Sequence, residues 1–436
     1  MQETSLRQTS NRAAGTATGL RAYPLAKAVL PWGLALSLCF RKDVMIRFRW
    51  GALDYTSVDS YAALEIAIVL ASCAYCLTNR KLAPTLRMIS GTSLSAFFAM
   101  YGWGLISSIW SEQPSYSLFQ ALEVLSQLAI VLIAVSYAPT VATAETSVLW
   151  VSMIATLCGI GQYVKLYGFS TQLSDWHTNH YTATAAILLS YCFAEFFASS
   201  GRRRIRLMAF GGFAAFALLL GTSATSIIAA LTGFAITAML LKGNRWPLIA
   251  IAAIAMIGAA LAPDVAFSIL FPGKTEHQVT SLHGREHLWG ALASYIWESP
   301  IVGHGFAMGA KLGSMRSDFQ IVTTNTHNSF LSVVLGMGFV GVLLASLAAA
   351  RFTFEIKRNR KAGIQGSVGV ASAVVSGVVN GMGIGILGET WRSSTLAFAA
   401  ILALHAIWIC PSARRRTNAL PQRAGGRRNQ VGALFA

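Results

Sequence analysis

Thr326 to Ala350 reads THNSFLSVVLGMGFVGVLLASLAAA, a stretch without a single Asp, Glu, Lys or Arg. As an α-helix rising about 1.5 Å per residue it is long enough to cross a hydrocarbon core of about 30 Å. Lipid offers no partner for backbone N–H and C=O groups, so a helix, which satisfies them internally, is the expected form. Similar apolar runs lie at 24–40, 61–77, 89–110, 119–137, 147–167, 181–199, 207–221, 224–241, 246–263, 366–387 and 394–410. The fold class predicted is therefore an all-α polytopic membrane protein of about twelve transmembrane helices. Composition agrees, because 54% hydrophobic and 12% charged residues and a mean hydropathy of +0.55 describe more apolar surface than one water-soluble core can hide.

The formal net charge of +17 is gathered in short segments between apolar runs and at the two ends. That distribution points to control of membrane topology rather than to nucleic acid. With Arg202, Arg203, Arg204 and Arg206 on the cytoplasmic side, alternation places Arg80, Lys81, Arg87, Lys242, Arg245 and the basic segments 351–361 and 414–416 there too. Both termini are then cytoplasmic, and no cleaved signal peptide is expected. The predicted organisation is a tail at 1–23, helices over 24–263, an outward loop at 264–325, helices over 326–410 and a basic tail at 411–436. One segment breaks the pattern: Arg41, Lys42, Arg47 and Arg49 would face outward, either because the first run is re-entrant or because that loop contacts anionic lipid or glycan. The six cysteines fall within or at the ends of apolar runs, Cys73 and Cys76 among them, which gives a disulfide framework no support.

The outward loop carries the polar chemistry. Residues 284–305 read GREHLWGALASYIWESPIVGHG, and Leu288, Trp289, Leu292, Tyr295 and Ile296 recur at helical spacing. An amphipathic helix ended by Pro300 is predicted, lying in the membrane interface or against the bundle, with Arg285 in its first turn. Gly303 and Gly305 permit a sharp turn or a close backbone approach. The loop closes on Thr326, His327, Asn328 and Ser329 directly before the apolar run, a residue set suited to capping a helix. Free N–H groups there favour an anion and disfavour an imidazolium, so His327 is expected to be neutral and able to accept a proton. His277, His283, His287, His304 and His327 crowd the same region, but without HExxH spacing, and no metal is predicted.

At this point the residues resemble a known group, the bacterial superfamily of O-antigen ligases and O-antigen or exopolysaccharide polymerases. The resemblance rests on Gly284, Arg285, Leu288, Trp289, Pro300, Gly303 and Gly305, followed by His327, Asn328 and Leu331. Upstream, Trp110, Ser111, Pro114, Ser117 and Leu118 look like the family's W-S-x-x-P-x-x-S-L stretch. His177, Thr178 and Asn179 resemble an H-x-N element common in exopolysaccharide-type polymerases. Gly221 to Ser226 sits where the family writes S-[RK]-[ST], and here Ser223, Ala224 and Thr225 lack the cation. Lys165, His177, His180 or Arg392 are the candidates to replace it.

The resemblance implies a GT-C-like glycosyltransferase that uses an undecaprenyl-diphosphate-linked saccharide on the periplasmic side of the bacterial inner membrane. On that view Arg285 offsets charge on the leaving diphosphate and His327 is the general base. Asn328 orients the histidine or the acceptor, and Trp289, Trp176 or Trp110 stack on sugar. Asn179, His177, His180, Arg392 and Ser223 join them in binding substrate. Donor, saccharide acceptor, membrane lipid and a chain-length regulator are the implied partners, with no cofactor and no nucleic acid. The missing cation and the H-x-N element favour a polymerase over a ligase. A transporter is the alternative from another class, suggested by Glu65, Glu123 and Glu195 within apolar runs.

Overall fold

A computed structural model of the protein describes residues 23–45, 59–167, 179–221, 223–241, 261–270, 285–312 and 326–410. Among them there is no strand. The helices are α1 Tyr23–Asp43, α2 Ser60–Thr78, α3 Leu82–Ile89, α4 Ser93–Ile106, α5 Pro114–Ser136, α6 Val141–Tyr167 and α7 Asn179–Ala198. They continue as α8 Gly201–Gly221, α9 Ala224–Leu240, α10 Pro263–Leu270, α11 Arg285–Glu298, α12 Ser329–Lys361, α13 Ser367–Asn380 and α14 Ser393–Leu404. A turn of π-helix, His405–Ile409, extends α14. Six helices, α2, α5, α6, α7, α8 and α12, are long and apolar enough to cross a membrane, and α9, α13 and α14 are shorter apolar helices. The chain is thus an all-α polytopic membrane protein. The run at 246–263 lies outside the described residues except for its last three positions.

Local sequence accounts for where helices begin. Asp59 caps α2 by accepting the Ala62 amide at 2.8 Å, and Pro114 opens α5, where its missing N–H removes nothing. The core is made largely of α5, α7, α13 and α14, and small residues such as Ala183, Ala186, Ala397 and Ala400 let these helices lie close together.

The longest helix, α12, is broken within its first three turns. Gly338 takes φ 63° and ψ −165°, which strips the flanking turns of their intrahelical partners. Residues 300–305 run alongside and replace them. His304 N and Gly305 N donate to Leu335 O and Gly336 O at 2.8 and 3.0 Å, while Phe339 N and Val340 N donate to Pro300 O and Ile301 O at 2.8 and 3.2 Å. Trp103 Nε1 supplies Met337 O at 3.0 Å. This crossing is the reason for the glycine pair. A Cβ on Gly303 would lie 2.6 Å from the backbone at Gly336, Met337 and Gly338, and one on Gly305 would lie 2.4 Å from Ser111. The close approach is backbone to backbone.

The W-S-x-x-P-x-x-S-L stretch fastens the same crossing. Trp110 Nε1 donates to Gly303 O at 3.1 Å, Ser117 Oγ to Phe306 O at 2.9 Å, and Phe306 N to Ser107 Oγ at 2.9 Å. Trp110, expected among the sugar-stacking candidates, has its indole N–H committed to this joint.

The first apolar run is a continuous helix, and its basic end is neither lipid-facing nor solvated. Arg41 and Lys42 are buried and lie 3.3 Å from the Glu65 carboxylate, Lys42 Nζ reaches Glu123 at 2.6 Å, and Asp43 accepts the Ser393 amide at 2.9 Å. Arg47 and Arg49 lie outside the described residues. At the opposite end of the bundle Arg203 joins Glu145 and Glu195 at 2.6 and 2.8 Å, and His405 meets Glu355 at 2.9 Å.

Replacing Gly303 by alanine combines a φ of +71°, a left-handed backbone costing about 1–3 kcal/mol for a residue with a side chain, with a Cβ inside another backbone. The expected result is a lower melting temperature in detergent and less protein in the membrane. A variant as stable as wild type would contradict the crossing.

Candidate functional site

The His327 turn is built from its neighbours. Asn328 caps α12, its Oδ1 accepting Phe330 N at 2.9 Å and Leu331 N at 3.2 Å. Its side chain therefore holds the helix start. His327 itself adopts φ 52°, a left-handed conformation that a non-glycine residue keeps only when its surroundings enforce it.

Thr326 provides that enforcement. It is fully buried, accepts the Asn328 amide at 3.1 Å and donates to Glu389 Oε1 at 3.0 Å. Ser332 Oγ, one turn into α12, donates to the same carboxylate oxygen at 2.6 Å. Burial pushes the Glu389 carboxyl above its ordinary range, against the hydrogen bonds from Ser332 and Thr326 and the charges of Arg392 and Lys311. Ser329 ties the same loop down, with Oγ donating to Ile384 O at 3.0 Å and accepting Ile386 N at 2.8 Å.

Helix α11 is tied to this turn by a bond in which Trp289 Nε1 donates to Thr326 O at 2.9 Å. Leu288, Leu292 and Tyr295 pack with Leu312 and Leu335 in a small apolar cluster, which presses α11 onto the first turns of α12. Arg285 precedes Trp289 by four residues and shares its helix face. Burial alone lowers the affinity of its guanidinium for its proton, the signature of a cation drawn out of water.

Asn179 and Ser223, also predicted from sequence, are brought together, since Ser223 Oγ donates to Asn179 Oδ1 at 3.0 Å. One turn deeper, Ser226 Oγ bridges Thr182 Oγ1 at 3.0 Å and Asn380 Oδ1 at 2.9 Å. His180 lies half-buried beside Asn179 at the start of α7. Arg392 stands at the start of α14, 3.4 Å from Asp43, so its charge is already opposed by a carboxylate. His304 is a packing residue whose Nε2 donates to Tyr295 O at 2.8 Å. His177 and Trp176 lie outside the described residues, as do His277 and His283.

Sequence reasoning passed over Glu389, Ser332 and Lys311, and read Thr326 only as one of a helix-capping set. Glu389 had a signal: it is the acid in GETWR (388–392), a polar turn between two apolar runs. Lys311 had none.

A helical bundle with one end closed by a strained histidine turn, a buried carboxylate and a desolvated arginine defines a polytopic membrane protein with a polar site at that end. Residues 209–346 match the family model described as O-antigen ligase. That stretch contains Ser223, Arg285, Trp289, Lys311, His327 and Asn328, and it supports placement in the superfamily of O-antigen ligases and polymerases. It supports a ligase- or polymerase-type function, with a lipid-linked saccharide and a glycan as the classes of substrate. No curated protein matches the chain.

Because Glu389 accepts from both Thr326 and Ser332, Glu389→Ala is expected to release the His327 turn and destabilise the protein by about 1–3 kcal/mol. Glu389→Gln, which keeps an acceptor oxygen, should be milder. Equal thermal stability of the Ala and Gln variants in detergent would remove Glu389 from this role.

Proposed function

We propose that the chain is a glycosyltransferase that joins lipid-linked oligosaccharide repeat units into a polysaccharide, acting on undecaprenyl-diphosphate-linked substrate at the periplasmic face of the bacterial inner membrane. The observation that carries the reading is the Trp289–Thr326 bond of 2.9 Å, which fastens the helix bearing Arg285 to the turn bearing His327. A cation and a base held on separate elements but tied together suit a transfer in which charge grows on one side of the anomeric carbon and a proton leaves from the other.

His327, as a neutral imidazole, takes the proton of the acceptor hydroxyl while that oxygen attacks the anomeric carbon. The bond to the diphosphate breaks, and Arg285 opposes the negative charge that gathers on the departing oxygen. A single displacement inverts the anomeric configuration. Asn179 and Ser223, coupled at 3.0 Å where α7 and α9 begin, offer polar atoms for sugar hydroxyls. Thr326 and Glu389 hold the histidine turn in register, and the chemistry needs neither cofactor nor metal.

A ligase that moves finished glycan onto a lipid A core is the second reading within the same superfamily, favoured by the description of the matched family. Ala224, where the family places Arg or Lys, and the His177–Asn179 element favour the polymerase. Transport receives less support. Glu65, Glu123 and Glu195 are each held by a cation, at 3.3, 2.6 and 2.8 Å, whereas a relay needs carboxylates that exchange partners.

His327→Ala and Arg285→Ala are each expected to abolish polymer at normal membrane abundance, a loss of at least about 100-fold for a removed base or charge-stabilising group. Polymer retained by either variant overturns its assigned role. Deleting the chain separates the two enzymes: short capped glycans indicate a polymerase, and full-length polymer stranded on undecaprenyl diphosphate indicates a ligase. Activity should persist in EDTA, and its loss there would assign a metal to the reaction.

A further inference from the structure

The polar groupings of the site stand on different helices, the Asn179–Ser223 pair where α7 and α9 begin and the His327 turn where α12 begins. Between them lie the end of α13 and the loop that follows it. Asn380, the last residue of α13, is fully buried. Its Nδ2 donates to Ser376 O at 3.2 Å, which turns Oδ1 toward α9, and there the Ser226 hydroxyl donates to it at 2.9 Å. Ser226 stands one turn beyond Ser223 and lies 3.0 Å from Thr182, one turn beyond Asn179. A single amide thus closes a buried polar joint of three helices, one turn below the pair.

The residues that follow turn to the other grouping. Gly381 O accepts the Ser329 amide at 2.7 Å, and Ser329 Oγ bonds Ile384 O, Ile386 N and Leu387 N at 3.0, 2.8 and 3.0 Å. A Cβ on Gly383 would lie 2.5 Å from Thr225 of α9, and one on Gly388 would lie 2.8 Å from Val333 of α12. The loop is therefore packed against both helix starts at once. Glu389 completes it by accepting from Thr326 and Ser332. Residues 380–389 form one continuous strap, fixed at one end to the helices of the Asn179–Ser223 pair and at the other to residues on both sides of His327. Buried hydrogen bonds are costly to leave unmade, so the strap has little freedom to lengthen or slide.

We infer that Asn380 is a positioning residue, which through this strap sets the separation between the Asn179–Ser223 pair and His327. The inference rests on the glycosyl-transfer reading, in which the pair meets sugar and His327 takes the acceptor proton. Asn380 itself is shut inside the bundle, with no exposed surface, and acts only through the groups it holds. A reacting group misplaced by about 1 Å can lose about 100-fold in rate. A rigid spacer between sugar binding and proton transfer therefore bears on turnover more than on affinity.

The test uses the full chain purified in detergent, and its first readout needs no chemistry. Asn380→Ala is expected to speed backbone hydrogen exchange over 223–230 and also over 326–333, at the far end of the strap, while α2 exchanges as in wild type. Ser226→Ala cuts the same bond from the α9 side and should reproduce this pattern. With a lipid-linked oligosaccharide as substrate, Asn380→Ala should lower kcat by roughly tenfold or more. KM should stay within about twofold, because no group that meets sugar is removed. Faster exchange confined to 223–230, an unchanged kcat, or a KM that rises in place of the fall in kcat overturns the inference. If Asn380→Ala fails to accumulate, Ser226→Ala decides, and wild-type exchange over 326–333 in that variant overturns the inference equally. Wild-type protein that transfers no sugar, with the exchange pattern as expected, overturns the glycosyl-transfer reading and the chemical role drawn from it. Exchange confined to one end of the strap leaves that reading standing.

Discussion

A helix in lipid can break only where something else satisfies the backbone groups it releases. At Gly338 that something is the segment from Pro300 to Gly305, whose main chain supplies two donors and two acceptors, with Trp103 supplying a third donor. Much of the candidate site follows from this exchange. The crossing brings the chain back across α12 just after α11 ends and just before the short turn Gly309–Lys311 begins. It thereby helps to seat α11, the helix that begins with Arg285, on the first turns of α12, the helix that His327 precedes. Side-chain size is constrained to zero where the two backbones touch, and Trp110, Ser107 and Ser117 then hold the crossing against α4 and α5.

Charge balance is the second constraint. A buried ion left alone costs several kcal/mol, so charges enter the bundle in opposed sets. The Arg41–Lys42–Asp43 triplet at the end of α1 is shared among Glu65, Glu123, Arg392 and the first amide of α14. Glu123 also accepts the Trp391 amide at 2.8 Å. The first helix is thus keyed to α2, α5 and the loop that carries Glu389. Such pairs contribute more to registry than to net stability, because desolvation takes back much of the attraction.

The helices were legible because an apolar run of membrane length has few other fates. The helix over 285–298 and the cap at Asn328 were legible for a similar reason, since their patterns are local. What the sequence did not reveal is what residues do to partners far along the chain. Gly303 and Gly305 read as a sharp turn or a close backbone approach to a ligand, and only the fold shows the second backbone they touch. Trp289 reads as a sugar platform, yet its indole N–H is spent on Thr326. Arg41 and Lys42 break the charge pattern until Glu65 and Glu123, distant in sequence, are placed beside them. Glu389 and Lys311 are single residues without a motif, and burial gives them their interest.

The left-handed backbone at His327 sets folding against chemistry at one position. Glycine or asparagine would occupy that conformation with less strain, so selection for stability alone would drift away from an imidazole there. On the proposed reading, the imidazole at φ 52° serves the chemistry at some cost to folding. Thermostabilised versions of this protein obtained without an activity screen should therefore accumulate replacements at this residue.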